Sequence, residues 1–214
     1  MFSWIIGIPL ITLLASATLA IVVIQSGRGV ASRLLLTVLL ALIVLWTFGS
    51  VMAHSIAFPS TLFWMNFMLA CAFATSAVGV HFATRLAGFG GAAITWSVRM
   101  FYLLGGSLII VAFSYGFLTK ATLLPNGAVE SEPGSLMPLA WGFTVSGPII
   151  ALMLFGLRSW GTAPGTERTR NIFLMAGYIV FGLGLLSKLI FEPYPSDIAA
   201  NFLFAVLLSY AVVS

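Results

Sequence analysis

Residues Asn66 to Phe82 read NFMLACAFATSAVGVHF. The run holds no acid, lysine or arginine, and it lacks the alternation of a strand lining a barrel, so it reads as a helix. With its flanks it covers 61–83, close to the ~20 residues that a bilayer demands. Ala70 and Ala74 stand four apart, as do Ala72 and Ser76, and Gly79 extends the same small surface. Small residues at helical spacing let a neighbouring backbone come close, which is how helices pack when lipid removes the hydrophobic drive between them. The stretch therefore predicts a membrane helix with other helices around it.

Working outward, further apolar runs occupy 4–25, 34–54, 98–118, 137–158, 171–191 and 197–214, giving seven in all. The expected fold is all-α: one seven-transmembrane-helix bundle filling 1–214. Composition agrees, with 61% hydrophobic and 7% charged residues in 214, against roughly 25% charged in a soluble domain. The first run has no basic flank and is too long for a signal peptide, so it reads as a membrane helix. Gly105, Gly106, Gly177, Gly182 and Gly184 extend the packing signal to helices 4 and 6, and Pro148 is expected to kink helix 5 and free a carbonyl. The segment 120–135, KATLLPNGAVESEPGS, reads as a surface loop. Thr166 and Glu167 are placed to cap helix 6.

The net charge of +4 does not point to nucleic acid, because the arginines are scattered over short loops. Arg28, Arg33, Arg85, Arg99, Arg158, Arg168 and Arg170 all fall on one face of the seven-span topology. Four acids, Glu130, Glu132, Glu192 and Asp197, fall on the other. The positive-inside rule then places the N-terminus outside and the C-terminal end of helix 7 in the cytoplasm. Trp4, Trp64, Trp141 and Tyr194 mark the outer boundary, and Trp96 and Trp160 the inner one.

Chemistry-bearing patterns are few. No Asp or Glu stands in the middle of a helix, which argues against a retinal Schiff base and against a charge relay. His54 and His81 close helices running in opposite directions, some 25–30 Å apart along the membrane normal, so they cannot share a metal. The single cysteine, Cys71, excludes an intrachain disulfide and a cysteine metal cluster. No catalytic motif, metal set or cofactor signature is present.

The densest polar group lies at 185–205, LLSKLIFEPYPSDIAANFLFA. Lys188 and Glu192 are an i,i+4 pair, the prolines close a turn, and Ser196 or Asp197 caps helix 7. The same residues suggest a second use. Trp46, His54, Trp64, Trp141, Lys188, Glu192, Tyr194 and Asp197 all fall in the outer half and are candidates for the rim of a ligand mouth.

Several stretches resemble a known family. Helix 2 has LLALIVLWTFGSV, helix 3 closes on VGVHFATRLAG, and helix 6 opens as TERTRNIFLMAGYIVFGLG. Helix 7 reads YPSDIAANFLFAVLLSYAVVS, with Asp at its start and Tyr-Ala near its end. In these features and in helix order the chain resembles the N-terminal seven-transmembrane region of bacterial sensor histidine kinases and diguanylate cyclases. The resemblance implies a sensor input module in the bacterial inner membrane, with kinase or cyclase activity in a cytoplasmic domain beyond Ser214. A second reading is a non-catalytic accessory subunit of a photosynthetic, respiratory or transport complex. The partners expected on either reading are the lipid bilayer and membrane helices, its own or another subunit's.

Overall fold

The computed structural model describes residues 4–25, 30–55, 58–114, 116–190 and 196–213; the side chains of 4–5, 30–32, 188–190, 196–197 and 213 lie outside that description. Seven helices appear among the described residues: α1 (Trp4–Gln25), α2 (Val30–Ala53), α3 (Thr61–Leu86), α4 (Ala92–Phe113), α5 (Met137–Trp160), α6 (Thr166–Ile190) and α7 (Ser196–Val213). Six of them, α1 to α6, are long and apolar enough to cross a membrane, as in a multi-pass membrane protein. The described apolar part of α7, Ile198–Val212, is shorter.

Two expectations need correction. The segment 120–135 is not a plain loop. It belongs to a β-hairpin, β1 (Leu118–Leu123) with β2 (Val129–Pro133), so the fold is not purely helical. Pro125 and Asn126 make the turn. The Gly127 N–H donates to the Leu124 carbonyl, and Gly127 takes φ 85°, where glycine carries no steric cost. Asn126 steadies the turn by accepting from the Ala128 N–H at 3.0 Å. Helix 4 also begins earlier than expected, at Ala92, directly after the Gly88–Gly91 turn. Trp96, read as marking the inner boundary, lies inside the helix, with the Arg99 guanidinium 5.3 Å from its ring centre. Arginine reaches a headgroup region from within a helix, so its charge does not end one.

Helices α2, α3, α5, α6 and α7 close a ring, α1 covers the α2–α7 seam, and α4 leans on α3. α3 is the hub. Gly79 meets Leu39 of α2 and Tyr178 of α6, and Ala77 faces Gly105 of α4. The Tyr178 hydroxyl donates to the Gly79 carbonyl at 3.0 Å. Gly105 also lies under Phe143 of α5, whereas Gly182 only reaches Pro148 at 4.0 Å. Ala70 is buried and Ala74 half-buried on the same helix.

Helices α3 and α5 approach closely at Gly147. A Cβ on Gly147 would lie 2.9 Å from Ser76 Cβ. Pro148, next in the chain, has no N–H, so the carbonyl four residues back, on Thr144, has no helical donor. The Ser76 hydroxyl supplies one, at 3.0 Å and fully buried. The expected kink-freed carbonyl is thus the polar tie between two helices. Ser76→Ala is expected to cost about 1 kcal/mol, measured by thermal unfolding in detergent. The loss should shrink when Pro148→Ala returns the N–H, a coupling read in a double-mutant cycle.

The hairpin sits between the end of α4 and the start of α5, so the two helices run antiparallel and share a hairpin end. At the opposite, arginine end Arg158 donates through Nε and Nη2 to Glu167 at 3.0 and 2.9 Å, tying α5 to α6. Glu167 does stand in the first turn of α6, and its carboxylate also holds the loop. The hairpin is anchored by Phe117, Leu118, Ala128 and Val129, all buried, with Phe117 against Phe73 of α3 at 5.3 Å between ring centres. Its base closes where the Gly134 N–H meets the Phe117 carbonyl at 2.7 Å. A Cβ on Gly134 would lie 2.6 Å from the Gly116 carbonyl oxygen. Backbone cannot yield as a side-chain tip does. Gly134→Ala is therefore expected to open the base of the hairpin, seen as at least ten-fold faster amide exchange at Leu118 and Val129 with the helices unchanged.

Candidate functional site

Trp46, Ser50 and His54 recur every four residues of α2 and so share one face. That face points into the ring. Trp46 meets Phe181 of α6 edge-on at 6.1 Å, and Phe181 stacks on Phe204 of α7 at 4.7 Å. Tyr178 packs on Phe204 at 5.1 Å and on Phe155 at 6.0 Å. Four helices thus contribute to one aromatic floor across the middle of the bundle.

A polar layer stands over that floor on the hairpin side. α2 runs toward the hairpin end, so Ser50 lies one turn, ~6 Å, beyond Trp46. α7 runs the other way, so Asn201 lies ~4.5 Å nearer the hairpin end than Phe204. Ser50 and Asn201 are buried, at 0% and 1% exposure, and Trp46 at 4%. The Trp46 Nε1–H, the Ser50 hydroxyl and the Asn201 Nδ2 have no hydrogen-bond partner among the described residues. The hydroxyls of Ser16, Thr75, Ser159 and Ser209 are unpaired as well. Thr47 on α2 bonds back to the Ile43 carbonyl at 2.8 Å, and Thr144 bonds back to Ala140 likewise. The Ser50 carbonyl is taken by the His54 ring, through Nδ1 at 2.7 Å. An unpaired buried polar group costs about 1–3 kcal/mol. Three of these groups stand on α2 and α7, beside the aromatic floor.

The expected ligand-mouth residues divide. Trp46 and His54 are together on the inner face of α2. Trp64 is on a different side: it packs on Phe48, Phe63 and Phe67, and its Nε1–H donates to the Phe58 carbonyl at 3.3 Å. Trp141 is half-buried against the main core. Glu192 and Tyr194 lie outside the described residues, as do the side chains of Lys188 and Asp197.

Sequence reading did not single out Ser50 or Asn201, because neither carries charge and both sit in apolar helices. The available signal was the amide itself: an Asn inside IAANFLFA has to find a partner or remain unpaired. Asn66 and Asn171 pose the same question, with both amide atoms unpaired and exposures of 1% and 0%. Asn66 shares a helix face with Phe73, under the hairpin; Asn171 stands near the arginine end of α6.

The layer offers hydrogen-bond donors over aromatic rings. No family model matches the chain, and no curated protein matches it either.

Proposed function

We propose that the chain is a membrane-embedded signal-input module of the kind that precedes sensor histidine kinases and diguanylate cyclases. On this reading seven helices span a bacterial inner membrane, with the N-terminus and the hairpin outside. α7 carries the signal to the cytoplasmic face. The arginine pattern of the sequence supports the orientation.

One observation carries the reading: the unpaired donors of Trp46, Ser50 and Asn201, held between α2 and α7. They raise the energy of the arrangement seen here. A second position of α7 that pairs them is thereby brought within a few kcal/mol, which is the condition for a ligand to shift the balance. The rest of the bundle is built to stay still. Ser76, Tyr178 and His81 make interhelical hydrogen bonds that all involve α3. α7 is held against α6 by apolar surfaces: Phe204 on Phe181, Tyr210 on Phe173, and Leu208 over Gly177.

The test locks α7. A Cβ on Gly177 would lie 3.4 Å from Leu207 Cβ, close to the ~3.8 Å of a disulfide. Gly177→Cys with Leu207→Cys, in a Cys71→Ala background, should cross-link α6 to α7. In the native host the locked protein is expected to change the transcript profile, and a membrane-permeant reductant should restore it. A locked bundle that leaves the profile as in wild type would remove the sensor reading. It would favour a static accessory subunit, which needs no movement of α7.

A further inference from the structure

The polar layer over the aromatic floor presents two unpaired N–H donors and a hydroxyl that donates or accepts. Trp46 offers only a donor, the unpaired atom of Asn201 is its NH2 nitrogen, and Ser50 has a free hydroxyl. The floor beneath is apolar and aromatic: Trp46, Phe181 and Phe204. No described ionised group stands in the layer. A carboxylate at this depth would meet no lysine or arginine among the described residues, only His54 one turn beyond Ser50, and would be costly to bury. Water or a hydroxyl can also accept here, giving its own proton to Ser50. A carbonyl oxygen brings acceptors alone and takes two donors at once.

We propose that this layer binds the carbonyl group of an uncharged, membrane-partitioning molecule, with the Trp46 Nε1–H and Asn201 NH2 donating to its oxygen. Ser50 supplies a third donor or orients the group. The near-complete burial of these side chains means that α7 shifts to admit the ligand, so binding and movement are linked. The proposal deepens the sensor reading and rests on it for its purpose; the binding itself is measured without any signalling.

Two sources carry this chemistry, a free ketone or ester and the ester carbonyl of a lipid. The probe is 2-undecanone labelled with carbon-13 at its carbonyl, added to the whole chain in nanodiscs of ether-linked lipid, which bring no carbonyl. The expected result is a second, saturable carbonyl resonance downfield of the lipid-dissolved ketone, as hydrogen bonding produces. Its affinity should fall at least ten-fold in Asn201→Leu and in Trp46→Phe. Asn201→Leu should also unfold at an equal or higher temperature than wild type, since it removes an unpaired amide, so loss of binding is not loss of fold. Ser50→Ala, a smaller change, should weaken binding by a lesser factor. No second resonance at any ketone concentration, or one unchanged in both variants, would overturn the proposal.

In ester-linked lipid, loss of the signal by competition assigns the site to lipid esters, and its persistence assigns it to a free carbonyl compound. Both agree with the proposal. Failure here is separable from failure of the sensor reading. Ketone binding without altered signalling in the locked protein leaves the site and removes the sensor. Altered signalling without ketone binding does the reverse.

Discussion

Gly147→Val is expected to destabilise the bundle by about 3 kcal/mol, at the upper end for overpacking. The added Cβ would meet Ser76 Cβ at 2.9 Å and Ser76 Cα at 3.1 Å. One of those is backbone, so α3 and α5 must separate. Separation also stretches the Ser76 hydroxyl away from the Thr144 carbonyl, which Pro148 leaves without another donor. The two losses act together because a single close approach creates both. Gly142→Val is the control on the same helix, since a Cβ there meets nothing within 4 Å. Thermal unfolding in one detergent should show a large drop for Gly147→Val and almost none for Gly142→Val. Equal effects would mean that α3 and α5 do not meet at Ser76.

Phe204→Ala is expected to be the next most damaging change, on the order of 2 kcal/mol. The ring stacks on Phe181 at 4.7 Å and meets Tyr178 at 5.1 Å, at 1% exposure. In a soluble core the loss would be larger. In lipid the helix surface gains little from leaving water, because the separated helices are already in an apolar medium. What remains is the cavity and the lost dispersion contacts. The same variant should loosen α7 specifically, with hydrogen exchange rising in 198–212 before it rises in α3. Phe204→Leu keeps most of the volume and should recover over half of the loss. A uniform rise in exchange across all helices would contradict a separately held α7.

The helices were legible because a membrane imposes one length and one composition. The helices α1, α3 and α5 start at the expected residue, α7 one and α2 four residues early, α6 five and α4 six. Those two begin in polar or glycine-bearing sequence, around Ala92 and Thr166, where hydropathy gives no edge. The α3 packing surface was legible from Ala70, Gly79 and their neighbours, since small side chains at helical spacing have few other uses. The hairpin was missed although Pro125-Asn126-Gly127 is a turn signal. Its strands carry Lys120, Glu130 and Glu132 on the exposed side, so little apolar alternation is left to see. The partners were not legible at all. That Ser76 reaches Thr144, or that Asn201 stands one turn from the Phe204–Phe181 stack, depends on helices distant in sequence. Trp46 and Trp64 lie on separate sides of the bundle, because a boundary position fixes depth and leaves rotation about the helix axis open.

In the proposed module α7 takes two positions against a fixed α3–α5 frame. Spin labels at Trp160, 91% exposed at the end of α5, and at Tyr210, 56% exposed on α7, measure that separation directly in a Cys71→Ala background. Pulsed dipolar spectroscopy in nanodiscs is expected to give two distances roughly 2–5 Å apart, the scale of a helix shift up to one turn. Asn201→Leu should redistribute the two populations, and the Gly177–Leu207 cross-link should leave one. A single narrow distance, the same in wild type, in Asn201→Leu and in the cross-linked protein, would contradict the account.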